Sequence, residues 1–207
     1  FARFGRLPIE DEGRLRNWRI RDHFLTAIFT VARFREAREG GKIRDLARFH
    51  AENQLLLMAL GKRRMWAMGK IVANREGKGP REVFLLYEDL LLAAIHRPPR
   101  FTANINTLTR AEGYFRDRLT KQEKELFKAS LDRYRVGLSP VTVPKRLVLS
   151  WIARFGEPKL WKQGFREPNS GERCGEPNLR DQTYFSPYPE ELILPEGEAA
   201  DGDREYR

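Results

Sequence analysis

The sequence has 207 residues, a formal net charge of +10, a pI near 10.0, 41% hydrophobic residues and 33% charged residues. Its length and apolar content favour one domain with a hydrophobic core, and its longest apolar runs are far shorter than the roughly 20 residues that cross a bilayer. The single cysteine, Cys174, excludes an internal disulfide and an all-cysteine metal or iron–sulfur site within this chain. We therefore expect a cytoplasmic protein without a membrane partner.

The chain is predicted to begin with an irregular segment and a long helix. Residues 1–16 are interpreted as a lead-in whose apolar side chains need a partner to pack on. Asn17 is of a residue type that caps helices, so a helix is expected over about 18–38. The pair Gly40 and Gly41 is typical of the end of such a helix.

The stretch from residue 42 to 75 has the clearest pattern. Steps of three and four residues place on one helix face Ile43, Leu46, Phe49, Asn53, Leu56 and Leu60. Gly61 follows, as is typical where a helix ends in a left-handed residue. A second, shorter helical pattern then runs to a stop at Asn74. The stretch therefore predicts a helical hairpin whose turn carries the three adjacent cations of residues 62–64.

Four further helices are predicted in the central region. Their start signals are Pro80, Thr102, the capping box of Thr120 and Glu123, and Thr142 with Pro144. Their stop signals are Pro98, Gly137 and Gly156. Strand patterns are almost absent. The predicted fold class is therefore all-α, a single helical domain of about seven helices with its core over residues 17–156 and an irregular C-terminal extension.

The C-terminal fifth of the chain changes character. Residues 157–181 contain several glycines, prolines and charges, which is typical of a long loop. Residues 182–194 regain apolar side chains, so we expect them to pack back on the helical core. Residues 195–207 are acidic and contain glycine, which predicts a frayed tail.

The charge of this chain is distributed unevenly. Between Arg14 and Arg75 the sequence has 15 Lys and Arg against 5 Asp and Glu. A basic soluble domain most often binds nucleic acid, whereas the alternative is a set of solvated helix faces. The cations predicted to contact phosphate are Arg44, Arg48, Lys62, Arg63, Arg64, Lys70, Arg97, Arg100, Arg110, Arg116, Lys145 and Arg146.

Two local features support this interpretation of the cations. Arg97 and Arg100 flank a Pro-Pro pair that stiffens the backbone and lowers the entropy lost when the two side chains bind. The aromatic residues Trp66, Tyr114 and Trp151 can stack on bases, although aromatic residues at helical spacing are more often part of a core. The sequence shows no comparable sign of catalysis, because each of its three histidines stands alone without a metal-ligand spacing.

A series of short pieces resembles the YbgA-like domain family. In order, the pieces are Phe49-His50, Leu55-Leu56-Leu57-Met58-Ala59, Gly69 with Val72-Ala73-Asn74, Arg97-Pro98-Pro99, Asn106 with Leu108, Gly113-Tyr114-Phe115, Tyr134-Arg135 with Gly137-Leu138, Pro140 and Pro144, and Gln182-Thr183-Tyr184 with Pro187, Pro189 and Glu191-Leu192. No single piece is specific to the family. The resemblance depends on all of them occurring in this order over about residues 42–194. Residues 7–24 are similar to the end of the desulfidase-type domain that often precedes this family in fused proteins.

The resemblance implies an RNA-binding module that holds tRNA for a thiouridine desulfidase domain, in cis or in trans. The iron–sulfur cluster would belong to that partner domain, so we expect no cofactor in this chain. The sequence departs from the usual family pattern at Gln54, Leu60, Asn104, Thr109 and Arg110. A site served by those positions would be altered here.

Two alternatives to RNA binding remain open from the sequence. One is an enzyme with a small-molecule or nucleotide pocket formed by the polar members of the matching pieces, which are His50, Asn106, Tyr114, Arg135 and Tyr184. The other is a structural or docking domain that does not bind RNA. Under that second alternative, the cations of residues 62–64 would serve solubility alone.

Overall fold

The computed structural model describes residues 8–156 and 178–192, and within these ranges the protein is all-α. The helices are α1 (Trp18–Glu39), α2 (Ile43–Glu52), α3 (Gln54–Ala73), α4 (Pro80–Ile95), α5 (Phe101–Gly113), α6 (Lys121–Arg135) and α7 (Thr142–Phe155). Short 3-10 turns lie at Arg14–Arg16 and Glu190–Leu192. The predicted fold class is confirmed. Among the described helices, none combines the length and apolarity that a bilayer crossing requires.

Several helix ends lie where the local sequence signals predict them. The side chain of Asn17 accepts hydrogen bonds from the first backbone N–H groups of α1. Thr120 and Glu123 form the predicted capping box at the start of α6. Pro80 is the first residue of α4, where its missing N–H is not needed. Asn74 ends α3 in the left-handed conformation, with φ of 39°.

The predicted hairpin turn at residues 62–64 is wrong. The chain breaks earlier, at Asn53, which lies between the end of α2 and the start of α3. Gly61 does interrupt the helical run, as predicted, but residues 62–64 are again helical, so α3 consists of two helical runs that meet at a kink. The backbone of Gly61 has φ of 166° and ψ of 99°, which is extended and not left-handed. The three cations therefore lie on a kinked helix and not on a loop.

The break at Asn53 is stabilised by a segment that is distant in sequence. The side chain of Gln182 accepts a hydrogen bond from Leu55 N at 2.9 Å and donates one to Ala51 O at 2.8 Å. The hydroxyl of Thr183 donates to Asn53 Oδ1 at 2.6 Å. The first bond satisfies the N–H of Leu55, which the start of α3 would otherwise leave unpaired, and the other two hold the distant segment against the break.

The core consists of two clusters of buried side chains that α3 joins. One cluster contains residues of α1, α2, α3 and α4, and the other contains residues of α3, α5, α6, α7 and the segment 178–192. Met58 and Leu60, just before the kink, pack against both clusters. The middle of α3 is therefore the junction of the fold, where α4 and α5 approach it from two sides.

The described part of the C-terminal region lies against the helices. Tyr184 is fully buried, and its hydroxyl donates to Asn104 Oδ1 at 3.0 Å. Further along, Arg33 donates to Pro187 O at 2.8 Å. Most of the predicted loop, residues 157–177, lies outside the described residues. The last two residues of the segment 182–194 and the whole predicted acidic tail lie outside them as well.

Candidate functional site

A cleft of about 1270 Å³ opens between α3, α4 and α5. Its walls are the kinked middle of α3, the C-terminal half of α4, the loop that joins α4 to α5, and one side of α5 from Ala103 to Arg110. The charged side chains of its described lining are Lys62, Arg64, Arg97, Arg100, Arg110 and Asp89. Five cations against one carboxylate make this cleft strongly positive, and a concave apolar wall concentrates such a field.

The kink at Gly61 explains how α3 contributes so much of this lining. Residues 58–62 all face the cleft, although they are consecutive. In a regular helix, five consecutive residues would point all the way round the axis, since each is rotated by about 100° from the last. The extended backbone of Gly61 interrupts that rotation. Lys62 and Arg64 are therefore placed at the cleft by the interruption of the helix.

The loop between α4 and α5 contributes two more cations from a stiff backbone. The helix α4 ends at Ile95 and α5 begins at Phe101, with a Pro-Pro pair in the loop between them. Arg97 and Arg100, on either side of that pair, both line the cleft and are both exposed to solvent. Because the two prolines fix their own φ angles, the loop loses little conformational freedom when the arginines bind an anion.

Four of the five cleft cations differ from many other cations of the described residues in having no carboxylate partner. In the ranges 8–156 and 178–192, no salt bridge is formed by Lys62, Arg64, Arg97 or Arg100. Elsewhere, Arg38 lies 2.9 Å from Glu88. The charges of these four residues are therefore not neutralised by a carboxylate. An anion that enters the cleft can bind them without displacing one.

The rest of the cleft lining is mostly apolar. Its apolar side chains include Leu60 of α3 and Leu90 and Leu92 of α4, while Asn106 and His96 are its neutral hydrogen-bonding side chains. The single aromatic ring in the lining that the structure describes is the imidazole of His96, which is exposed. The cleft can therefore hold an anionic chain and shield part of it from water, but its described lining offers only one small ring, that of His96, on which a base could stack.

Residues 54–169 of the sequence match the family described as "Protein of unknown function (DUF1722)". The match starts at the first residue of α3 and covers more than half of the chain, including every described residue that lines the cleft. This chain belongs to the DUF1722 family.

A curated relative extends the match beyond the DUF1722 region. The chain is 24% identical over 150 residues to "Uncharacterized protein YbgA" of Escherichia coli (strain K12), which covers 72% of this chain and 88% of the relative. No solved structure matches the chain. The predicted YbgA-like family is therefore confirmed, whereas the likeness of residues 7–24 to a preceding desulfidase-type domain stays a prediction. Two of the positions that depart from the usual family pattern, Leu60 and Arg110, line the cleft.

The remaining predicted phosphate contacts of this DUF1722 chain lie outside the cleft lining. Exposed positions on or beside the helices are occupied by Arg44, Arg48, Arg63, Lys70, Arg116 and Arg146. Of these, Arg48 lies 4.0 Å from Glu52. Lys145 is partly buried, with its ammonium 4.3 Å from the ring centroid of Tyr184, and burial lowers its pKa to about 8. The structure thus gathers five of the twelve predicted cations at one place.

The five polar residues predicted as an alternative enzymatic pocket are not brought together. Only Asn106 lines the cleft. His50 is hydrogen-bonded through Nδ1 to the hydroxyl of Tyr87 at 3.0 Å, and burial lowers its pKa to about 4. Arg135 is exposed and pairs with Asp132 at 3.2 Å. Tyr184 is buried in the core, and Tyr114 is partly buried.

The aromatic residues considered for base stacking lie in different environments. Trp151 is 3% exposed and packs against Phe115 and Phe127, as a core residue does. Trp66 is 52% exposed. The sequence did contain a signal for this difference. Met65, Met68 and Val72 form the buried stripe of α3, and Trp66 falls outside that stripe.

Proposed function

We propose that this DUF1722 protein is an RNA-binding module that holds tRNA through the cationic cleft. The observation that carries the proposal is the convergence of five cations from two helices and one loop on a single cleft. Four of them lack a carboxylate partner in the described part of the chain. Such a surface attracts phosphate, which is the dominant source of affinity in nucleic-acid binding.

The composition and size of the cleft support an extended polyanion over a small metabolite. Four of the five cations are arginines, whose planar guanidinium can bind phosphate oxygens in a bidentate manner. Small-molecule pockets usually enclose about 300 to 1,000 Å³, and this cleft exceeds that range. A sugar–phosphate chain has repeated charges that match several separated cations at once.

The family resemblance supports the more specific part of the proposal. In fused proteins of this kind, the YbgA-like part is thought to hold tRNA while a desulfidase-type domain removes sulfur from thiouridine. With Cys174 as its only cysteine, this chain cannot itself supply an all-cysteine ligand set for an iron–sulfur cluster. The cluster and the catalysis would therefore belong to a partner domain, in cis or in trans.

The alternative of an enzyme pocket around His50, Asn106 and Tyr114 has no comparable support. Only Asn106 lines the cleft, and the lowered pKa of His50 keeps its imidazole neutral near pH 7 in contact with Tyr87. The alternative of a docking domain without RNA binding is an outcome of the experiment that follows.

The proposal is tested by measuring tRNA affinity at about 50 mM and about 200 mM salt. Neutralising five phosphates predicts a log–log slope of roughly −3.5 on single strands to −4.5 on duplex, which is a loss of about 100-fold to 500-fold over this interval. No detectable tRNA binding, or an affinity that does not change with salt, would contradict RNA binding and favour the docking alternative.

A further inference from the structure

Trp66 is an exposed aromatic side chain next to the cleft without an assigned role. Its exposed fraction is 52%, and within the described residues it makes no hydrogen bond or ring contact. It lies four residues after Lys62, and residues at this spacing are neighbours on a helix surface. Because Lys62 lines the cleft, Trp66 stands one helical turn beyond the cleft's edge.

The cations around Trp66 share its face of α3. At about 100° per residue, the exposed residues Lys62, Arg63, Trp66 and Lys70 fall within about 100° of arc. The buried residues Met65, Met68 and Val72 lie on the other side of the helix. An anionic chain that leaves the cleft at Lys62 would therefore pass over the indole ring on its way to Lys70.

An indole ring that lies among cations suits a ligand with negative charges and flat aromatic faces. Nucleotides have both. Stacking on an aromatic side chain tolerates any sequence, because every base has a flat aromatic face. A membrane surface fits less well, since a flat bilayer that contacts Lys62 cannot also contact the cations inside the cleft. The described cleft lining has only the small imidazole of His96 as an aromatic ring, so Trp66 adds a larger stacking surface just outside the cleft.

We infer that Trp66 is a stacking residue for an unpaired base, and that the site takes single-stranded or splayed-out RNA and not a continuous duplex. Inside a duplex both faces of each base are covered by the neighbouring bases, whereas loops and ends present a free face. This inference rests on the proposed RNA-binding function and adds the class of RNA that the site selects.

The test compares three ligands of equal length: a single-stranded uridine oligonucleotide, an abasic oligonucleotide with the same phosphates, and a duplex RNA. The proteins are the wild type, Trp66→Ala, Trp66→Phe and, as a matched loss of an exposed apolar side chain on α6, Leu126→Ala. The wild type is expected to bind the intact strand about fivefold to 150-fold more tightly than the abasic strand, if one base stacks on the ring.

Trp66→Ala is expected to lose most of that preference, while its affinity for the abasic strand and the duplex stays the same. Trp66→Phe should retain part of the preference, and Leu126→Ala all of it. If Trp66→Ala keeps the wild-type preference, or weakens all three ligands equally, the stacking role is overturned while RNA binding through the cations stands. If the wild type binds none of the ligands, both the stacking role and the proposed function are overturned.

Discussion

Gln182 caps the start of α3 from a position 127 residues away, since its Oε1 accepts a hydrogen bond from the backbone N–H of Leu55 at 2.9 Å. The other end of the same amide donates to Ala51 O near the end of α2. One side chain thus pairs a donor that the start of α3 leaves without a helical partner, and ties it to the end of α2. The position of α3, and with it the orientation of the cleft, depends on this long-range contact.

Replacing Gln182 by Ala is expected to lower the free energy of unfolding by about 1 to 3 kcal/mol. The substitution leaves the buried N–H of Leu55 without its acceptor, whereas Ala51 O keeps the N–H of Asn53, and one unsatisfied buried group costs about this much. Urea denaturation of both proteins measures the difference. Ser186→Ala, at an exposed position in the same segment, should change stability by no more than about 0.5 kcal/mol. Equal stability of Gln182→Ala and the wild type would show that the bridge is dispensable.

The protein is expected to become less stable as the pH falls, because of His50. Burial lowers the pKa of the folded imidazole from 6.5 to about 4, so between these values the unfolded chain binds the proton more readily. The stabilisation is present above pH 6.5 and is lost progressively as the pH falls toward 4. From His50 alone, the loss between pH 7 and pH 5 is about 2 kcal/mol.

His50→Gln isolates that contribution, because glutamine offers the Tyr87 hydroxyl a polar partner but does not titrate. His23, whose pKa is also lowered by burial, is present in both proteins and cancels from the comparison. Urea unfolding at pH 7 and pH 5 should show a smaller pH effect in the variant by about 2 kcal/mol. An identical pH effect in both proteins would contradict a buried, neutral His50.

The parts of the fold that the sequence predicts correctly depend on neighbours in the chain. A cap such as Asn17, the capping box at Thr120 and the left-handed stop at Asn74 each act within a few residues. The all-α class follows from apolar periodicity alone. These signals are strong because the backbone groups at a helix end are most easily satisfied by a side chain next to them.

The break at Asn53 could not be predicted, because its cause is not local. The three- and four-residue steps from Phe49 through Asn53 to Leu56 continue without interruption in the sequence. The groups that stabilise the break belong to Gln182 and Thr183. Since periodicity alone did not show where the helix ends, the turn was predicted at Gly61, where the helix is only kinked.

The cleft itself was only partly visible in the sequence. Charge pattern and the Pro-Pro pair singled out Arg97 and Arg100, and the run of cations singled out Lys62 and Arg64. The two pairs of cations line one cleft because α4 and α5 pack against the kinked α3. Spacing in the sequence says nothing about that packing, and so it did not separate these cations from the exposed Arg116 and Arg146.

The central claim is that the position of these cations, and not the total charge, is what holds RNA. Its most direct test is the salt dependence of tRNA binding by two triple variants that lose the same charge. One is Lys62→Ala, Arg64→Ala and Arg97→Ala at the cleft. The other is Lys121→Ala, Lys128→Ala and Arg133→Ala on the exposed surface of α6, which does not line the cleft.

The cleft variant is expected to bind tRNA more weakly, with a log–log salt slope reduced in magnitude by roughly 2 to 3, since each lost phosphate contact removes about 0.7 to 0.9. The α6 variant should keep the wild-type slope and lose little affinity. If both variants change affinity and slope to the same extent, binding follows bulk charge and the cleft is not the site.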